Sequence, residues 1–537
     1  MRDQFERVQL KTIFGVVAAL IAGGWLQADP GVCAVSNSAF VSSFTPGTLS
    51  PVCAGDSSVA PGSLIIVAGD GLGPVIEEHS AAFPLRTTLS GTSVRLAVAG
   101  TDVDAFLLSA QKNRIEAMVP SKTPVGDGVL VVTHNGIAGA PHKIQVVDRD
   151  FQIYVHSPLS IAQNVSADGT VQSNTFSEPV KPGQLLILWG TGLGAVPGDE
   201  ASGPVPSSAS GMGIEVMLGL QRARVLYAGR SGCCAGLDQI VIETPAGIEG
   251  CSVPAVVRPL PANFGGSCPT VAVASRGGCS DPHGMPEVVR QQFAAKGGGK
   301  IGRIVLGSYG WSPDGVSAYF TRFGNSYTIP AGTCGYPPPS GSLSGSSDSF
   351  YWDAGPELNL SGNSVKLMVP QDLDDFNSAL GSFYQRAFTT SDLLVGAYTI
   401  DNGNGGPDIA PFRFDFQIDG PSFEWTNRSA LTAQIGQDLN LTWTAGTSAE
   451  GYVMLQGTFL TFETDPNGYG LGGFQCLERT DKGRFTVPGW LISKGGAEVL
   501  DVQIQPFKRQ ELRAPGLDFG EFLQVSKPEF QRLTFTN

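Results

Sequence analysis

The chain has 537 residues with 70 Gly, 37 Pro and only 15% charged residues. That length exceeds what one hydrophobic core organises, and a composition rich in turn formers but poor in the charged faces of surface helices predicts several all-β domains. A net charge of −14, with 34 Lys+Arg that form no dense cluster, excludes nucleic acid as a partner, because phosphate binding needs a basic face.

Residues 1–28 read as a cleavable secretory signal. Arg2, Arg7 and Lys11 precede an apolar run from Ile13 to Ile21, and Leu26-Gln27-Ala28 supplies small-residue cleavage chemistry. The alternative, an uncleaved anchor, requires about 20 apolar residues and the run is shorter. No comparable run follows, so the mature chain is expected to be extracellular or at the cell surface, with no transmembrane segment.

The next segments repeat. PGSLIIVAGDGLG (Pro61 to Gly73) returns as PGQLLILWGTGLG (Pro182 to Gly194), each a short apolar run closed by glycines that suit a buried strand ending in a tight turn. VRLAVAG (Val94 to Gly100) matches IEVMLG (Ile214 to Gly219), and NRIEAMVP (Asn113 to Pro120) matches DQIVIETP (Asp238 to Pro245). Three matches in one order at offsets of about 120 residues define a domain-sized repeat. The first module is placed at 34–148 and the second at 149–275.

Nine cysteines in an exported chain are expected to pair, leaving one over. Cys33 and Cys53 flank a short segment, where a bridge stabilises by roughly 3 kcal/mol in the chain-entropy picture. Cys233, Cys234, Cys251, Cys268 and Cys279 crowd the end of the second repeat, while Cys334 and Cys476 stand apart in the later half. Adjacent Cys233 and Cys234 are poorly placed to bond each other, so each is expected to reach Cys251, Cys268 or Cys279, with the connectivity open. The C-x₂-C pairs of a zinc site are absent.

These strand, turn and strand phrases, and above all GRSGCCAGLDQIVIETPAGIEGCSVPAVVR (Gly229 to Arg258), resemble the tandem IPT/TIG-type immunoglobulin-like unit known as the Solibacter-type C-terminal domain of secreted acidobacterial proteins. The resemblance covers about residues 34–275 and implies extracellular β-sandwich modules with no assigned catalytic residues. The family carries this unit at the C-terminal end of longer proteins, whereas here it lies at the front.

Residues 276–300 form a linker holding one short helix, Glu287 to Ala295, opened by Pro286 and stopped by Gly297-Gly298-Gly299, with Val288, Val289 and Phe293 as core contacts. Strand-like runs then resume. A third sandwich is expected at 301–419, where Phe412, Phe414 and Phe416 alternate with Arg413, Asp415 and Gln417, and a fourth at 420–537, anchored by Trp443.

Catalytic patterns are missing. There is no G-x-S-x-G elbow, no H-E-x-x-H pair among the five histidines, and neither glycine-rich turn opens a βαβ unit able to hold a dinucleotide. The loop DNGNGGPD raises Asp401 and Asp408 as weak calcium candidates, but Gly405 and Phe412 occupy positions where a calcium loop of the EF-hand kind wants oxygens, so a hairpin loop is the favoured reading. Asp372, Asp374 and Asp375 invite a glycosidase reading, and Trp311, Tyr319, Tyr351 and Trp352 a sugar-stacking platform, against the commoner roles of solvated loop and core packing.

The sequence therefore predicts tandem immunoglobulin-like β-sandwiches followed by further sandwiches, without cofactor, catalytic residue or metal. The expected role is adhesion, surface architecture or ligand binding, with an extracellular glycan or surface protein as partner. The rival is a carbohydrate-binding component or polysaccharide hydrolase housed in residues 301–537.

Overall fold

The computed structural model describes residues 29–39, 58–156, 159–208, 213–258, 269–279, 289, 299–307, 315–323, 329–335, 352–362, 365–372, 383–387, 395–419, 423–446, 451–461, 469–492 and 497–535. The class is all-β. Among the described residues, helix beyond Val289 amounts to three short 3-10 turns, Arg428–Ala430, Thr480–Lys482 and Gly489–Leu491. The expected signal segment and most of the connector helix lie outside the described residues. Val289 itself packs on Ile301 and Phe519.

The two repeat copies pair their strands in the same register. In the first, Leu64–Asp70 runs antiparallel to Arg114–Met118 with Leu64 opposite Met118, and in the second Leu185–Thr191 meets Asp238–Glu243 with Leu185 opposite Glu243. The Pro-Gly openings make the same turn: Gly62 N–H donates to the Val119 carbonyl at 2.7 Å, and Gly183 N–H to that of Thr244 at 2.8 Å. A short parallel bridge closes each module, Val59 to Val146 and Val180 to Val273. Alternating apolar side chains fill each core: Ile65, Val67, Ile115 and Ala117 in the first copy, Leu186, Leu188, Ile240 and Ile242 in the second.

The copies differ in continuity. In the first, the ladder breaks between Thr101–Asp104 and Phe106–Gln111, giving two sheets. In the second, the ten-residue strand Gln221–Arg230 bends at a bulge between Val225 and Tyr227 and belongs to both layers. A further difference is an insertion. The tight turn between Gln111 and Arg114 becomes, in the second copy, a loop Ser231 to Leu237 between paired Arg230 and Asp238.

Beyond residue 298 the boundary expected at 419/420 does not separate two sheets. Gly299–Gly307 pairs in parallel with Phe519–Val525, so one 13-stranded sheet runs through both segments. Two cores line it. One gathers Phe320, Tyr384, Phe412, Phe416 and Phe522, as the Phe alternation predicts, with Arg413 and Asp415 facing water. The other surrounds Trp443, whose Nε1 donates to the Thr480 carbonyl at 2.9 Å, and includes Met217 and Val256 from the second module.

The sulfur pairing corrects the expectation. Cys233 bonds Cys234, and Cys251 bonds Cys279. The Arg230–Asp238 hairpin carries the adjacent pair to an exposed loop, whereas Cys251 and Cys279 lie buried with Leu159, Ala272 and Ala274, out of its reach. Cys334 and Cys476, distant in sequence, stand opposite each other on neighbouring strands with Cα atoms 4.0 Å apart and are bonded. Cys33 is disulfide-bonded, and Cys53 and Cys268 lie outside the described residues.

Candidate functional site

Among the described residues a dense polar constellation lies at the seam between the first two modules, and its centre is Arg230. Its side chain has no solvent exposure, although a guanidinium cannot shed its charge and needs every donor satisfied in such a place. Nε donates to Glu200 Oε1 at 2.8 Å, Nη1 to Asp238 Oδ1, and Nη2 to the Gly194 carbonyl at 3.2 Å. The first module then closes the network: Ser121 Oγ donates to Glu200 Oε2 at 2.7 Å and accepts the Val196 N–H at 3.1 Å.

Shape reinforces charge. A methyl group on Gly62 would collide with Arg230 Nη2 and Ser121 Oγ, so the first module's Pro-Gly turn seats directly on the guanidinium. Beside it, Leu64 N–H donates to Thr191 Oγ1 at 2.9 Å, and Thr191 Oγ1 donates to the Gly236 carbonyl at 2.7 Å. Asn37 Nδ2 donates to the carbonyls of Asp150 and Thr191 at 2.7 and 3.2 Å. Leu64, Met118 and Ala235 form the apolar part. The second copy's GTGLG turn is thus covered by the first module, while the first copy's GDGLG turn leaves Asp70 exposed and is followed by exposed Val75 and Ile76.

One arginine serves two carboxylates, so the cluster holds a surplus negative charge. Burial pushes Asp238 up to about 7, against the pull of Arg230 and of the Leu193 and Gly192 N–H groups. Asp150, at the join of the modules, is pushed up to about 6 by burial, opposed by hydrogen bonds from Gln152 and Ser58. None of Arg230, Glu200, Ser121 and Asp150 stands out in the sequence. The available signal is Arg and Asp bracketing a glycine-rich insertion, GRSGCCAGLD.

The sequence candidates are placed elsewhere. Asp401 Oδ1 accepts the Gly403 N–H at 2.9 Å, and Asp408 Oδ2 accepts the Asp353 N–H at 2.9 Å, so both weak calcium candidates serve as loop acceptors. Among the described residues no group of three His, Cys, Asp or Glu side chains is arranged to hold a metal. Asp374, Asp375, Trp311 and Tyr351 lie outside the described residues. Tyr319 accepts a hydrogen bond from Arg303 at 2.8 Å, and Trp352 packs under Lys300 Nζ, 4.3 Å from its ring centroid. His134 is buried against Thr92, and desolvation lowers its pKa.

No family model matches the chain, and no curated protein matches it. Among solved structures it is similar to the FN1–FN3 domains of chicken CNTN1, at 7% identity over 65% of this chain and 95% of that one, with a TM-score of 0.18. It is also similar to the Escherichia coli adhesin FdeC, at 12% identity over 74% and 99% of the two chains, TM-score 0.13. SGBP-B, from a complex xyloglucan utilization locus in Bacteroides uniformis, matches at 9% identity over 89% and 97%, TM-score 0.14. At such scores these likenesses carry no functional argument, and the all-β class rests on this chain's own ladders.

Two outcomes follow from the seam. Gly62 and Gly183 share positive φ, at 76° and 79°, but only Gly62 is crowded. In urea unfolding, Gly183→Ala is expected to cost about 1–2 kcal/mol, the penalty for a Cβ in the left-handed region, and Gly62→Ala roughly 1–3 kcal/mol more. Equal costs would mean that the turn does not bear on Arg230. The second concerns pH. Asp150 and Asp238 have folded pKa values of about 6 and 7, above the ordinary 3.8, so between roughly pH 4 and 7 the folded state binds protons that the unfolded chain has released. Their contribution is fully present below the unfolded value and is lost as pH rises through 6 and 7. Thermal unfolding should therefore move to higher temperature on acidification from pH 7.5 to about 5, and Asp150→Asn should flatten that slope.

Proposed function

We propose that this chain is an exported, non-catalytic multidomain β protein whose modules are locked together to present binding surfaces outside the cell. The observation that carries this reading is the seam: its most deeply buried charged side chain, Arg230, is held by Glu200, Asp238 and the Gly194 carbonyl, and Glu200 carries the network on to Ser121 of the first module, so the cluster's polar groups are spent on holding the modules together. The second module is also packed against the last segment, where Met217 and Val256 enter the Trp443 core and Arg258 lies 5.6 Å from the Trp490 ring centroid.

Export is supported by two fully buried disulfides, Cys251–Cys279 and Cys334–Cys476, since such cystines persist in oxidising compartments. Among the described residues no helix is long and apolar enough to cross a membrane. The finer assignment, Solibacter-type tandem modules with an extracellular glycan or surface protein as partner, rests on the Gly229 to Arg258 stretch and on the shared register of the two copies.

The purified mature chain, applied to a glycan array and to cell-envelope preparations, is expected to be retained without releasing any product. Release of reducing sugar that one carboxylate substitution abolishes would replace this reading with that of a hydrolase.

A further inference from the structure

We infer that the adjacent pair Cys233–Cys234 is a solvent-facing thiol–disulfide exchange site, whose co-reactant is a thiol, carried by a small molecule or by another protein. Three observations converge on it. Both cysteines are exposed, whereas Cys251, Cys279, Cys334 and Cys476 are fully buried. The bond spans a sequence separation of 1, so it restrains almost nothing in the unfolded chain and contributes little stability by that route, in contrast to the separation of 142 closed by Cys334–Cys476. Finally, it sits in the insertion Ser231 to Leu237, which the first module replaces with a two-residue turn while keeping the same register, so the fold does not require it.

The loop holds the pair at a fixed place. Ser231 N–H donates to the Leu237 carbonyl at 2.8 Å, Ala235 packs on Leu64 and Met118, and the Gly236 carbonyl accepts Thr191 Oγ1. One half of the insertion is thereby tied to the seam, and the two sulfurs are left at its tip. Buried Ser231 lies with its hydroxyl 3.4 Å from Cys233 Sγ, where it can donate to a thiolate formed on that atom. Exchange then has a direction. An incoming thiolate attacks Cys234 Sγ, the bond to Cys233 Sγ breaks, and its electron pair leaves on Cys233 as a thiolate held by Ser231, giving a mixed disulfide on Cys234. The Cys233 thiolate either attacks back and expels the incoming thiol, or a second thiol resolves the mixed disulfide, leaving two protein thiols and one oxidised disulfide of the reagent.

The test uses the full mature chain, folded and unreduced, incubated with graded glutathione, blocked with an alkylating reagent and mapped by peptide mass. The peptide containing Cys233 and Cys234 should be unalkylated and internally bonded at the start. It should open at glutathione concentrations roughly tenfold or more below those that open Cys334–Cys476, and carry the glutathione adduct on Cys234. Ser231→Ala should slow the opening and spread the adduct over both cysteines. The double variant Cys233→Ser/Cys234→Ser should keep the melting temperature of the parent while losing all low-glutathione labelling. The inference is overturned if either cysteine is bonded elsewhere or alkylates without reductant, if the pair opens only together with the buried disulfides, or if the double variant melts well below the parent.

Discussion

A single charge that cannot be neutralised, the Arg230 guanidinium, sets the terms on which the front half of this protein folds. Placed without solvent exposure, it obliges the chain to bring Glu200, Asp238 and the Gly194 carbonyl to its nitrogens. Breaking a buried pair by removing one partner typically costs roughly 3–5 kcal/mol, so these groups are committed to each other. Glu200 in turn needs a second donor, and Ser121 of the first module provides it. The domain junction is therefore part of the polar accounting of the second module's interior, not an optional contact between finished domains.

The duplicated blueprint explains how one design yields two roles. Identical registers place a glycine turn at the same end of each module, yet the GTGLG turn is capped by its neighbour while the GDGLG turn leaves Asp70 exposed. The insertion between Arg230 and Asp238 is the local change that makes the difference, because it carries Ala235 and Gly236 onto Leu64 and Met118. The same insertion exposes the adjacent cysteines, so seam and sulfur chemistry share one loop.

Much of the fold is legible in the sequence because strand periodicity and turn glycines are local signals. The Phe412 to Phe416 alternation, the Trp443 anchor and the repeated P-G phrases all sit where their patterns indicate. What was not legible depends on pairing between distant segments. Arg303 and Glu521 are neighbours across a parallel ladder although 218 residues separate them, and nothing near either residue announces a sheet that crosses position 419. Cys334 meets Cys476 through the same kind of distant strand pairing, whereas the adjacent Cys233 and Cys234 are bonded to each other because a hairpin holds both away from buried Cys251. The seam is not legible because Arg, Glu and Asp scattered over a glycine-rich stretch look like surface residues until the fold buries them.

The central claim is that the Arg230 network couples the two front modules energetically, and a double-mutant cycle across the seam tests it most directly. With Ser121→Ala on the first module and Glu200→Gln on the second, chemical unfolding of the four proteins should give a coupling energy of about 1–2 kcal/mol. Strict additivity of the two substitutions, within about 0.3 kcal/mol, would show that the hydrogen bond across the junction does no energetic work and would contradict the account.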